Sequence, residues 1–247
     1  MGTRGMSAEV ETVEPRDAKA LSSLVAVCGI GGGAGTSTLA FLTAMYVQRF
    51  AAEPILLCDT GGPGASLALI AEQGSKLSLP QAAAAIAADA LSVPIFVPVT
   101  EKLRLMARDP ELDDAADLEG LARLLRDARN AHPLTIVDCG SLQRPVERSV
   151  AAQASSILWV ARGSLTGAKR AKAVLRSLSI KADREILAVC GRQERNSEVE
   201  HELMGAADLR GASLVFVPSL PGVSNGSLKG ALETGQAALE AIRGRLT

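Results

Sequence analysis

The sequence predicts an α/β fold, a mostly parallel sheet with helices on both faces. Seven short apolar runs, at 24–28, 55–58, 95–99, 134–139, 157–161, 186–190 and 214–217, are continuous rather than alternating. Strands buried on both faces read this way. Helical stretches at 37–50, 66–72, 81–90, 118–130, 146–154, 165–178, 197–204 and 228–243 separate them, and such alternation builds a parallel sheet through helical crossovers. The first run also passes directly into a glycine-rich turn that opens the first helix, a common arrangement in α/β ligand-binding folds.

That turn is Gly29-Ile30-Gly31-Gly32-Gly33-Ala34-Gly35-Thr36-Ser37-Thr38. Between a strand and a helix, successive backbone N–H groups and the positive end of the helix dipole converge on one spot suited to an anion. The Walker A pattern G-x-x-x-x-G-K-[ST] puts lysine at position 36, where this chain has threonine, and the loop contains no lysine at all. Holding a phosphate needs little beyond the amides, whereas cleaving one usually needs a cationic side chain on the transferring group. The expectation is a loop that binds without cutting.

The run at 55–58 leads into Asp59, and Leu134-Thr135-Ile136-Val137-Asp138 is an apolar strand ending in an acid, which is what a Walker B strand offers a magnesium shell. A rival exists in the same residues. Gly29-x-Gly31-x-x-Ala34 fits the dinucleotide fingerprint, with Asp59 as the ribose-binding acid. Against it, Gly35-Thr36-Ser37 supplies the last Walker glycine and a hydroxyl at the magnesium position, so loop, hydroxyl and acid together favour a phosphate site.

The remaining elements carry weaker signals. The alanine-rich helix at 81–90 implies close packing, and Trp159 lies in a buried-strand pattern. Arg162, Lys169, Arg170, Lys172 and Arg176 concentrate charge around one helix. They read as a solvated face, with DNA phosphates or acidic lipid as the sharper alternative. The last helix has apolar residues at Leu232, Leu239 and Ile242 but lacks the bulky apolar and basic faces of a membrane anchor.

Composition narrows the classes. With 26 Lys and Arg against 27 Asp and Glu in 247 residues, no global field favours nucleic acid or membrane. No apolar run reaches the roughly 18 to 20 residues of a span, and residues 1–19 lack the apolar core of a secretory signal, so a cytoplasmic protein is expected. Residues 1–20 read as a flexible tail and 21–247 as a single domain. Cys28, Cys58, Cys139 and Cys190 have no C-x-x-C spacing and each closes a strand, which suits small buried side chains. His132 and His201 are isolated, and one Trp, one Tyr and four Phe make no base-stacking platform.

Residues Gly31 to Ala40 resemble the deviant Walker A box, K-G-G-x-G-K-[ST]-[ST], of the MinD/ParA group of dimeric P-loop ATPases. The likeness is greatest to the CpaE/TadZ branch, associated with tight-adherence pili and related secretion machines, where the second lysine is often a small residue. The segment from Asp59 to Leu69 is similar to that branch's D-x-D-x-x-x-G-x-L-A-L, and Val137-Asp138, Ala188 to Arg192 and Phe216-Val217-Pro218 follow in the order of Walker B and the two loops flanking adenine. The resemblance spans about residues 21–246. It implies a P-loop NTPase-like fold holding ATP or ADP with Mg2+. The nucleotide site would comprise Gly32, Gly33, Ala34, Gly35, Thr36, Ser37, Thr38, Asp59, Arg192 and Pro218, with Ser37 and Asp138 on the metal. It also implies a homodimer, a partner in pilus or secretion machinery, and recruitment by that partner to the inner face of the membrane.

The departures matter as much. The family's signature lysine corresponds to Gly31, its phosphate lysine to Thr36 and the second aspartate of its switch to Gly61. The asparagine usual near adenine is absent at Cys190-Gly191-Arg192, and Ser219 follows Pro218 in place of the common aspartate. Each lost electrostatic stabiliser typically costs about a hundredfold to a thousandfold in rate. A hydrolysis-deficient scaffold or positioning factor with no catalytic residue and weakened nucleotide affinity is therefore expected. The alternatives are a loop kept as a fold remnant, an active ATPase of partitioning or division-site placement using a partner's cation, and an NAD(P)-binding enzyme.

Overall fold

The computed structural model describes residues 23–60, 67–74, 77, 79–88, 96–107, 118–191, 197–220 and 227–246. In chain order the elements are β1 (Ser23–Gly29), α1 (Thr36–Val47), β2 (Ile55–Asp59), α2 (Leu67–Ile70), α3 (Leu79–Ala87), β3 (Val97–Thr100) and β4 (Leu103–Met106). They continue with α4 (Leu118–Ala131), β5 (Leu134–Asp138), α5 (Pro145–Gln153), β6 (Ser156–Arg162), α6 (Leu165–Ser177), β7 (Arg184–Cys190), α7 (Ser197–Asp208), β8 (Ser213–Val217) and α8 (Leu228–Leu246). The eight strands form one sheet in the order β3-β4-β2-β5-β1-β6-β7-β8. Every pairing is parallel except β3 with β4.

Alternate residues of the central strands feed two cores. Leu24, Ala26 and Cys28 of β1 pack with Leu121 and Leu124 of α4, Val150 of α5, Leu175 of α6 and Leu203 of α7. Val25 and Val27 pack with Leu39 and Leu42 of α1 and with Leu239 and Ile242 of α8. Each such side chain contributes about 1.5–3 kcal/mol on full burial, which explains why the strands read as unbroken apolar runs. Helix α1 is buried on most sides because the sheet lies under it and α8 beside it. There Tyr46 donates its hydroxyl proton to Glu240 Oε2 at 2.7 Å, and Arg243 stacks over Phe50.

Two expectations need correction. The run at 95–99 was expected to be buried on both faces, yet β3 is an edge strand paired only with β4, and its residues are half-buried or exposed. Pro98 has no N–H to donate and suits such an edge. Strand β4 was not anticipated, because Arg104 interrupts Leu103-Arg104-Leu105-Met106 and leaves no continuous apolar run. The α7 helix also continues to Asp208, beyond the predicted end. The alanine-rich α3 does pack closely, since a Cβ on Gly120 of α4 would overlap the Ala83 carbonyl.

The end of the sheet away from the glycine loop is fastened by a buried polar cluster. Trp159 donates to Glu185 Oε2 at 2.7 Å, and Arg210 pairs with the same carboxylate at 2.8 Å while donating to the Leu178 carbonyl at 3.0 Å. Trp159 is thus core, as its pattern implied, but with its indole N–H satisfied.

Candidate phosphate site at the carboxyl edge of the sheet

Parallel strands end at a common edge, and the order β2-β5-β1-β6 sets Asp59, Asp138, the glycine loop and Arg162 side by side along it. The loop leaves β1 suspended between neighbours: Gly29 N–H donates to the Gly140 carbonyl at 2.6 Å and Ile30 N–H to the Val160 carbonyl at 2.9 Å. Gly33 and Gly35 have φ of 67° and 91°, a left-handed geometry that glycine adopts without a Cβ penalty. Gly35 caps α1, whose first N–H groups have no intrahelical acceptor. A Cβ on Gly29 would overlap Thr36 Oγ1 and stand 3.1 Å from the Gly140 carbonyl. Thr36 therefore folds its hydroxyl back over β1, at the position where Walker A places a cation.

Ser37 and Asp138 meet. The Ser37 side chain hydrogen-bonds the Asp138 carboxylate, and Gly140 N–H donates to Asp138 Oδ1 at 3.0 Å. Burial pushes the Asp138 carboxyl above the usual aspartate range, and these two hydrogen bonds oppose the shift only in part. Asp59 is the register partner of Asp138 on the adjacent strand and is likewise buried. The following Thr60 donates its N–H to the Asp138 carbonyl at 3.1 Å. Arg144 braces this end of β2. It donates to the Thr60 carbonyl at 3.0 Å and to Thr60 Oγ1 at 3.1 Å, while its Nε pairs with buried Glu147 at 2.9 Å.

On the other side of the loop, Arg162 at the end of β6 donates from Nε to the Gly33 carbonyl at 3.0 Å. The Arg170 guanidinium carbon lies 3.2 Å from where a Cβ on Gly31 would stand. Both arginines come from the charge cluster that the sequence suggested was a solvated face.

The donor set is one of hard oxygens, a serine hydroxyl and buried carboxylates. Among the described residues no group of three His, Cys, Asp or Glu forms a metal cage. Magnesium characteristically binds through one or two carboxylates together with waters and substrate phosphates, so Ser37 and Asp138 fit that ion better than a metal held by protein alone.

No protein-family model matches this sequence, and neither does any curated protein. Solved structures do. A ParA family ATPase from Chlorobium tepidum TLS superposes with a TM-score of 0.71 at 16% identity, covering 92% of this chain and 100% of that one. The fold is that of the ParA and MinD ATPases. The septum site-determining protein MinD of Pyrococcus horikoshii OT3, complexed with Mg-ADP, shares the ParA/MinD fold at TM-score 0.64 and 16% identity, over 90% of this chain and 94% of that one. Cobyrinic acid a,c-diamide synthase of Mycobacterium smegmatis, with a bound ATP analogue and magnesium, does so at 0.62 and 18%, over 90% and 96%. A septum-placing protein and a synthase on one architecture show that the ParA/MinD fold alone does not set a role.

Within this fold the anticipated residues divide by strand. Gly32, Gly33, Ala34, Gly35, Thr36, Ser37 and Thr38 form the loop and the first turn of α1, with Ser37 on Asp138. Asp59 sits two strands from β1. Pro218 is exposed just beyond β8, three strands from β1, a lateral separation of about 14 Å at the usual strand spacing. Arg192 and Gly61 lie outside the described residues. Sequence reasoning missed Arg144 with Glu147, for which no motif spacing gave a signal. It saw Arg162 and Arg170 but not their direction; the position of Arg162 at the end of a parallel strand was the available clue.

Proposed function

We propose that this chain binds ATP or ADP with Mg2+ at the glycine loop, hydrolyses it negligibly, and serves as a scaffold or positioning factor for pilus or secretion machinery. The observation that carries this reading is the contact of Ser37 with Asp138 beside a loop that contains no lysine. Loop amides from Gly33 to Ser37 would hold phosphate oxygens. Ser37 and Asp138 would hold the ion, which supplies charge neutralisation between phosphates when bound. Thr36 turned back onto β1 leaves the loop without its own charged group for a transferring phosphoryl, which supports binding over turnover.

A homodimer recruited to the inner face of the membrane by its partner accords with the resemblance to the CpaE/TadZ branch. Among the described residues no helix is long and apolar enough to cross a membrane. Nucleotide would act by stabilising one conformation or assembly that the partner prefers, as differential binding requires.

Strand order weighs against the dinucleotide alternative. In a Rossmann unit the strand bearing the ribose acid adjoins the strand before the glycine turn, but here β5 separates β2 from β1. The active-ATPase alternative has one specific observation in its favour, the arginines beside the loop. A melting series with ATP, ADP and NAD, each with and without Mg2+, tests the reading, since a ligand of the native state raises its melting temperature. Stabilisation by ATP or ADP that needs Mg2+, without enzyme-proportional phosphate release, is expected. Stabilisation by NAD alone, by none of the three, or sustained turnover abolished by Ser37→Ala would overturn it.

A further inference from the structure

The geometry points to Arg162 and Arg170 as the cationic half of the phosphate site, delivered to the glycine loop from β6 and α6 rather than from the loop itself. This inference rests on the phosphate-binding reading above and adds the residues that recognise the anion's charge.

Three observations carry it. Arg162 is anchored by its Nε on the Gly33 carbonyl, and its Nη2 lies 2.5 Å from where a Cβ on that glycine would stand, so a side chain at 33 would push the guanidinium aside. Arg170 lies against Gly31 in the same way, with its Nε 3.2 Å and Nη1 3.3 Å from the Cβ position. The two lysines of the cluster are directed elsewhere: Lys169 pairs with Glu198 at 3.5 Å and Lys172 with Glu202 at 3.0 Å, both on α7. Helix α6 thus sends its lysines to a neighbouring helix and Arg170 to the loop.

The local backbone fixes that placement. Ser164 caps α6 by accepting the Gly167 N–H at 3.1 Å. A Cβ on Gly167 would overlap the Arg162 carbonyl, so α6 starts tightly against the end of β6. Among the described residues neither arginine has a carboxylate partner. Two guanidinium groups, the loop amides and the positive end of α1 therefore collect at one place, an arrangement that a polyanion stabilises. Guanidinium groups suit phosphate oxygens by their planar fork of donors. The ligand class is a linear polyphosphate such as a nucleoside triphosphate, with the diphosphate gaining less from the two charges.

The test measures binding by titration calorimetry of the whole chain with Mg-ATP, Mg-ADP and inorganic tripolyphosphate. Arg162→Gln and Arg170→Gln are each expected to weaken tripolyphosphate and ATP about tenfold to a hundredfold, the usual weight of a hydrogen bond to a charged group, and ADP less. Arg170→Lys should keep part of the affinity. Lys169→Gln and Lys172→Gln should leave it unchanged, which separates specific contact from general charge on α6. Unchanged melting of the ligand-free variants checks their fold. If tripolyphosphate binds in an arginine-dependent manner but ATP does not, the nucleotide reading fails and the arginine site stands. Equal tripolyphosphate affinity in the wild type and the Arg162→Gln/Arg170→Gln double variant, or no binding of either ligand by the wild type, overturns the inference.

Discussion

Asp59 and Asp138 stand at the same register as the last residues of β2 and β5, and each is about 98% buried or more. Two acids at one level of a parallel sheet, with the Ser37 hydroxyl on the second, place hard oxygen donors next to the glycine loop. Burial disfavours the charged form of Asp138, so a cation arriving beside it would gain by favouring the carboxylate.

Replacing Asp138 by asparagine is expected to leave the ligand-free protein as stable as the wild type, or more so, while removing its stabilisation by Mg2+ with nucleotide. The sign follows from the raised carboxyl. Between the ordinary aspartate pKa and the raised folded value, the folded chain binds more protons than the unfolded one, so stability falls as pH rises through that window. Above that window the penalty is fully present and the amide escapes it. Melting curves at pH 7 and in mild acid check this; a variant that is clearly less stable and still responds to Mg2+ contradicts it.

Gly29→Ala should destabilise the chain by about 1–3 kcal/mol, the usual range for overpacking, because the new methyl meets Thr36 and the Gly140 carbonyl. Adding Thr36→Ala in the same chain should recover part of the loss. Denaturant unfolding of the two single variants and the double gives the coupling, and strict additivity would show that Thr36 does not occupy that space.

Arg210→Ala should cost about 3–5 kcal/mol, since removing one partner of a buried pair strands the other charge. The Arg210 and Glu185 side chains are 3% and 4% exposed. Trp159 fluorescence during urea unfolding would report the change directly. A midpoint within error of the wild type would show that water reaches Glu185 after all.

The contact between α1 and α8 should give way in acid. Hydrogen bonds from Arg243 and Tyr46 hold the Glu240 carboxyl down to about 2. A depressed folded value contributes stability above the unfolded pKa, and that contribution is lost as pH falls from about 4.5 towards 2. Glu240→Gln should therefore lower stability slightly at pH 7, flatten the acid limb of the melting profile in that window, and converge with the wild type near pH 2. An identical acid limb in both proteins would discount the pair, whose exposure to solvent already limits its weight.

Gly167→Ala should displace the start of α6 from the Arg162 carbonyl and weaken tripolyphosphate binding together with stability. Gly244→Ala, where no atom lies within 4 Å of the added methyl, is the matched control and should change neither. Calorimetry on both variants decides the matter.

Much of the architecture was legible because central strands of a parallel sheet declare themselves as continuous apolar runs, and all seven predicted strands and eight predicted helices have counterparts. The hairpin at the sheet edge was not, since Arg104 interrupts one strand and the half-exposed Val97 to Thr100 reads like a buried run when taken alone. The loop and the acid of β5 were visible because both are local patterns. Arg144, Arg162 and Arg170 were opaque as site residues for the opposite reason. Arg144 acts on Thr60, 84 positions away, and Arg162 on Gly33, 129 positions away, and only the strand order brings such pairs together.

The four thiols bear on experiment. Cys28, Cys58 and Cys139 are sealed within the sheet core, with Cys139 against Cys28, and Cys190 is half-covered. Burial pushes the Cys190 thiol up to about 12 and holds Cys58 and Cys139 well above their ordinary value, so few are nucleophilic while the fold is closed. Alkylating reagent should then act as a stopwatch for opening of the sheet: mass increments on the three interior sulfurs would accrue only as molecules come apart, and a ligand gripping the loop would slow the clock.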